Sequence, residues 1–359
     1  MKGSSCAFFV STLCCVNVIH AWLGSTMKQK PFSTFPSVSR PSVTRKLFMD
    51  IEQDSVAKSF RIEIPGIASA LSIPRHIQHS EIDQAIAANG MPWQSSIDPH
   101  YRSLADDSNK PFYLPFWEWQ MDYMKKHLTN LQVLPVESKQ GQDLSYRTNG
   151  KVRLHTFQCS SDEYKCIRMT VMDGGARTQV FTSLWYPQPH FHLPVLGIDL
   201  LQFGQSKHLC IVDFQPIHEN SSQDQPFEHL LQPIRDQYPS LHGKMTRRFY
   251  DEDAFFSKQM LLGRSDRAGA NDLVYKNLFP AYQAYVNTHV QMVQSATPRP
   301  STVADVLQRH AAYDNYSAAR DPAHAMLAAT FGNDFADDYV YDILFPLADR
   351  GVSGTLESC

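Results

Sequence analysis

The chain lacks the signatures of most common chemistries. Its seven cysteines form no C-x-x-C pair and no Cys/His spacing of a zinc site. A metal-stapled module or a dithiol redox centre therefore has no anchor. There is no G-x-G-x-x-G after a strand, no G-x-x-x-x-G-K-[ST] and no G-x-S-x-G elbow, so dinucleotide binding, nucleotide hydrolysis and serine-hydrolase chemistry are unsupported. Charged residues make up only 19% and the net charge is −3, which gives no global attraction to nucleic acid or an acidic membrane surface. Past the leader no apolar run is long enough to span a bilayer, so no membrane segment is expected. Cys159, Cys166, Cys210 and Cys359 are read as reduced and structural, because a core of this size needs no disulfide.

What is present is a large apolar inventory, 43% hydrophobic and 11% aromatic over 359 residues, enough for one large domain or two ordinary ones. Lys2 precedes the apolar run Ala7 to Ala21, which has signal-peptide proportions (1–21). Residues 22–46 turn to Ser, Thr, Pro, Lys and Arg without one acidic residue, the composition of a transit peptide. Together they predict import into the stroma of a plastid reached through the secretory route. Residues 47–110 read as a variable extension with a short helix from Ser80 to Ala88, 111–350 as the folded domain, and 351–359 as a flexible tail.

Within the domain, Pro115 leads an aromatic amphipathic helix, Phe116 to Leu128. Strands are predicted at Val152–Gln158, Cys166–Met172, Thr178–Tyr186, Val195–Phe203 and Leu209–Gln215, joined by short turns that exclude parallel crossovers. Helices follow at Phe227–Gln237, with a kink at Pro233, then Asp272–Val293, Thr302–Tyr316, Pro322–Thr330 and Asp334–Leu347. Strands first and helices after predict an α/β protein, a three-layer α/β/α sandwich around a central antiparallel sheet.

Two aspartates stand out in the strands: Asp199 in VLGIDLLQF and Asp213 in CIVDFQP. An ionised carboxylate among aliphatic residues is costly unless it is paired or used. Alternation puts Val195, Gly197, Asp199, Leu201 and Phe203 on one face, and Gly197 is expected to leave open volume beside the carboxyl for a ligand. The residues leave Asp199 open between a tuned proton donor and a structural carboxyl, while Asp213 reads more readily as structural. Asp321, before Pro322, has the pattern of a helix N-cap. His190 and His192 form an H-x-H pair without further ligands nearby, and the flanking Pro189 and Pro194 point to a bend.

In this order, PVLGIDLLQFG, IVDFQPI, YPSLHG, FFSKQMLLGR and YSAARDPAHAMLAATFG followed by ILFPL resemble the ferredoxin-dependent bilin reductases, from about Pro111 to Leu347. The resemblance implies an open-chain tetrapyrrole held between the sheet and the C-terminal helices. It also implies no bound flavin, nicotinamide or metal, electrons from reduced [2Fe–2S] ferredoxin, and protons from side chains through substrate radicals. The family's active-site aspartates correspond here to Asp199 and Asp321, which can cap its helix and still offer a carboxyl to the pigment. Arg264 corresponds to an arginine near a substrate propionate, and Thr182 stands where relatives carry His or Asn. Gly197 and Arg320 complete the expected substrate-binding set. The motifs favour reduction of biliverdin to 15,16-dihydrobiliverdin for phycoerythrobilin synthesis. The alternatives are the next reduction in that route and a non-catalytic bilin carrier. The expected partners are ferredoxin, biliverdin and the following bilin reductase, with no nucleic acid and a monomeric state.

Overall fold

The apolar runs around Asp199 are the middle of a broad antiparallel sheet. The computed structural model describes residues 111–204, 207–217, 225–245, 254–265 and 270–350. The expected signal peptide, transit peptide, extension with its Ser80–Ala88 helix, and tail lie outside the described residues, as do Gln205 and Ser206 of the expected turn.

After helix α1 (Leu114–His127) come the short strands β1 (Gln132–Leu134) and β2 (Tyr146–Thr148). The meander β3 (Arg153–Ser160), β4 (Tyr164–Asp173), β5 (Thr178–Pro187), β6 (Val195–Phe203) and β7 (Lys207–Gln215) follows. Strand β8 (Leu261–Ser265) joins the far edge, giving the order β1-β3-β4-β5-β6-β7-β8 with β2 also on β3. Every named pairing is antiparallel. The five predicted strands are all there. β1, β2 and β8 are not predictable from the sequence, because three to five residues carry too little alternation to register.

One face of the sheet packs on α1, α2 (Glu228–Arg235, with Pro233 inside) and α3 (Phe279–Ser295). The opposite face packs on α4 (Val303–Ala318), α5 (Ala323–Phe331), α6 (Asn333–Asp338) and the π-helical segment Tyr339–Leu344. Period-two alternation sorts β6 between the layers: Leu196, Ile198 and Leu200 join the first core, Val195 and Leu201 the second. This is the predicted three-layer sandwich.

Two predicted helices are altered in ways their prolines explain. Asp272–Val293 becomes a π-helical stretch, Leu273–Leu278, running into α3. Pro280 has no N–H to offer the carbonyl one turn back, and its ring crowds that carbonyl. Asp334–Leu347 stops at Leu344, because Pro346 disfavours helical geometry at Phe345 (φ −133°, ψ 69°). Between α5 and α6, Gly332 adopts φ 98°, ψ 159°, a region open essentially to glycine alone, and so sets the angle between the two helices.

Candidate active site

The strands' register lines up side chains in rows on the face beneath α4 and α5. One row runs Thr156, Thr170, Thr182, Asp199, Ile211, Leu262 across six strands. The next runs Gln158, Arg168, Leu184, Gly197, Asp213. Between this face and the helices lies a cavity of about 510 Å³, within the range of small-molecule sites. Its wall is mostly apolar, with Met172, Leu201, Phe203, Phe255, Met326 and Phe345 among the lining.

Asp199 enters this cavity from the sheet and Asp321 from the start of α5. The strand is apolar on both faces, a pattern that predicts full burial of Asp199, but the side chain is partly exposed where it meets the cavity. Burial pushes its carboxyl up from 3.8 to about 7. The Asp321 carboxyl adds to the rise, and the Arg168 guanidinium opposes it. At neutral pH Asp199 is thus poised between acid and carboxylate, the condition for proton transfer. Asp321 is not the N-cap expected from its pattern, since Pro322 holds that position at the start of α5; its Oδ1 accepts the Ala323 N–H at 2.7 Å in an Asx turn, and it lines the cavity as well. The turn and a cavity-facing place coexist because the Asx geometry holds the side chain beside the helix end.

Asp213 has the same apolar setting and another fate. It is fully buried and not among the cavity-lining residues. Its Oδ2 accepts the Ser257 N–H at 2.8 Å and its Oδ1 the Ser257 O–H at 2.5 Å. Burial still raises it to about 7, against the pull of the Ser257 hydrogen bonds. It ties the 254–260 segment to β7.

Gly197 requires a correction. No open volume for a ligand lies beside it: a Cβ there would sit 2.5 Å from Gln215 Oε1. The glycine makes room for the Gln215 amide, which in turn accepts the Tyr313 O–H at 2.5 Å. Gly197 therefore shapes the wall from behind, while Gln215 and Tyr313 line the cavity. Thr182 lines it directly, opposite Asp199 in register. Arg264 is on β8 opposite Leu209, exposed and outside the lining. Arg320 is exposed, its guanidinium 4.3 Å from the centroid of the Tyr316 ring, which is itself part of the wall. The site thus joins Asp199, Asp321 and Thr182 and leaves both arginines outside the lining. His190 and His192 lie in the bend Gln188–Pro194, and no group of three His, Cys, Asp or Glu able to hold a metal occurs among the described residues.

Sequence reasoning passed over two polar features. Thr156, Thr170 and Tyr339 close a triangle of hydroxyls. Thr170 Oγ1 is 2.8 Å and Thr156 Oγ1 also within bonding distance of the Tyr339 oxygen, and the two threonines are 3.1 Å apart. Arg168, at the centre of β4, lines the cavity with 6% exposure. A charge inside an apolar strand, the feature that singles out Asp199, recurs at Arg168 in YKCIRMTVMD and was a signal able to find it.

Comparison with known proteins shows what the chain as a whole is similar to. The family model of the ferredoxin-dependent bilin reductases matches residues 121–346. A Gloeobacter violaceus protein named 15,16-dihydrobiliverdin:ferredoxin oxidoreductase is 31% identical over 235 residues, 65% of this chain and 94% of the relative. A Nostoc punctiforme protein of the same name is 31% identical over 238 residues, with the same shares. Among solved structures, tomato phytochromobilin synthase in complex with biliverdin superposes with a TM-score of 0.56. It shares 19% identity, with 68% of this chain and 85% of that one covered, so the likeness is one of fold.

Proposed function

The chain belongs to the ferredoxin-dependent bilin reductases, an oxidoreductase family, and from that premise we propose that it reduces biliverdin to 15,16-dihydrobiliverdin in the synthesis of phycoerythrobilin. The carrying observation is the Asp199 carboxyl, held near neutrality in an apolar cavity beside Asp321. A carrier that only binds pigment has no use for a carboxyl tuned in this way, whereas a reductase does. The relatives' names support the C15–C16 bond as the one reduced.

The reaction adds two electrons and two protons across that bond. A [2Fe–2S] ferredoxin delivers one electron at a time, so two encounters are needed and a pigment radical lies between them. Asp199, protonated below about pH 7, gives the first proton and becomes a carboxylate. Asp321 orients the pigment or, after taking up a proton from solvent, gives the second. The apolar walls keep water from competing for the radical. Thr182, neighbouring Asp199 across the strand pair, presents a hydroxyl to the same part of the pigment. Residues 1–46 carry the chain into the plastid, where both donor and pigment would be available, and appending them to a fluorescent reporter checks the address.

The deciding measurement is an anaerobic incubation of the full chain with biliverdin, ferredoxin and a reducing system, followed by chromatography of the pigment. A product saturated at the C15 bridge is expected. Turnover of added 15,16-dihydrobiliverdin but not biliverdin would reassign the chain to the next step. Binding without any new product would make it a carrier.

A further inference from the structure

Arg168 presents a problem that its surroundings do not solve. It stands in the middle of β4, with β3 and β5 on either side. It is 6% exposed, and its Nε and Nη1 have no hydrogen-bond partner among the described residues. No ion pair within 4.0 Å joins it to a described carboxylate, although Asp199 and Asp314 both feel its charge. A guanidinium keeps its proton at any accessible pH, so it cannot escape the cost of burial by neutralising. Buried donors are bonded in the great majority of cases, and an orphaned one is costly, more so when charged.

The other groups around the cavity do not relieve it. The Tyr339 oxygen is engaged with Thr156 and Thr170. The Tyr313 hydroxyl is given to Gln215. Asp314 is occupied by the Tyr186 O–H at 2.5 Å and the Leu347 N–H at 3.0 Å. The remaining direction is the cavity itself, of which Arg168 is part of the wall.

We propose that Arg168 is a substrate-binding residue whose guanidinium takes an oxygen of the bilin, one row along the sheet from Asp199. This rests on the reading of the cavity as a bilin site. A linear tetrapyrrole offers two kinds of oxygen, a terminal lactam carbonyl and a propionate carboxylate, and both suit a charged N–H donor. With a propionate, Arg168 sets the orientation of the pigment over Asp199. With a lactam, its fixed charge also opposes the negative charge that each added electron brings.

The test uses the full chain with Arg168→Gln and Arg168→Lys, titrated with biliverdin and with biliverdin dimethyl ester while the visible spectrum of the bound pigment is recorded. Loss of a charged hydrogen bond predicts about 10- to 100-fold weaker biliverdin binding by Arg168→Gln. If the partner is a propionate, the ester binds the parent chain about as weakly, and the substitution costs it nothing more. If it is a lactam, both ligands lose equally and the bound spectrum shifts. Arg168→Lys keeps the charge but not the fork of donors and is expected to lose affinity as well, which decides the matter should the glutamine variant fail to fold. Parent-like affinity and spectrum for both ligands in a folded variant would overturn the assignment. A parent chain that binds no bilin at all would overturn the reading of the cavity, and this inference with it.

Discussion

Replacing Asp199 with Asn should make the protein more stable and less competent, by amounts that depend on pH in a defined way. In the unfolded chain this carboxyl ionises near 3.8, and in the folded protein near 7. Because the folded value is raised, the folded state retains the proton where the unfolded state has lost it. The cost of carrying Asp199 is absent below about pH 4, grows through the interval up to 7, and is constant above it. The full interval corresponds to roughly 4 kcal/mol. Asp199 is partly open to the cavity, so about 1–2 kcal/mol is expected to survive solvent screening. Asn has the same shape and never ionises. Thermal unfolding of the two proteins between pH 5 and 8.5 should show the variant's advantage widening up to about pH 7 and then level. Turnover runs the other way. The parent should lose activity as Asp199 ionises above neutrality, while the variant binds biliverdin but accumulates a radical or unreduced pigment at every pH. An advantage that does not change with pH, or normal turnover by the variant under anaerobic conditions, would refute the reasoning.

Asp213→Ala should cost about 2–4 kcal/mol in urea unfolding, because both Ser257 donors lose their acceptor in a buried place. Its effect on turnover should not exceed what the lost stability accounts for. Gly197→Ala drives a methyl into the Gln215 amide, and a loss of about 1–3 kcal/mol is expected from the clash and the disturbed Tyr313 bond. Biliverdin titration should show weaker binding, since Gln215 and Tyr313 form the wall. Asp321→Asn removes the negative charge that helps to hold Asp199 protonated. The pKa of Asp199, followed by infrared carboxyl absorption, should therefore fall.

Much of the fold is legible in the order of residues. Short apolar runs rich in β-branched and aromatic residues in β3 to β7 and the short turns between them lead directly to an antiparallel sheet, because both are local properties of the chain. Prolines 280 and 346 alter helices that the periodicity draws as regular, since apolar spacing alone does not register a missing N–H. The site is legible in part. Asp199 is conspicuous as the one charge in an apolar strand, whereas Arg168 shares its strand with Lys165 and Asp173 and stands out less.

The residues themselves were enough to establish the class of fold, the family through its ordered motifs, and Asp199 as a carboxyl out of place. The resemblance favours Asp199 over Asp213, but what leaves a cavity over one aspartate and closes over the other could not be read from them. Asp199 and Asp213 share one strand face pattern and one degree of apolar company, and both are raised to about 7. They are separated by what the third layer puts over each: Ser257 closes on Asp213, while α4 and α5 stand off from Asp199 and leave a cavity. The same folding filled the space beside Gly197 with Gln215 and left Arg168 facing inward. Such outcomes depend on contacts between segments about 20 to 120 residues apart, and local periodicity carries no information about them.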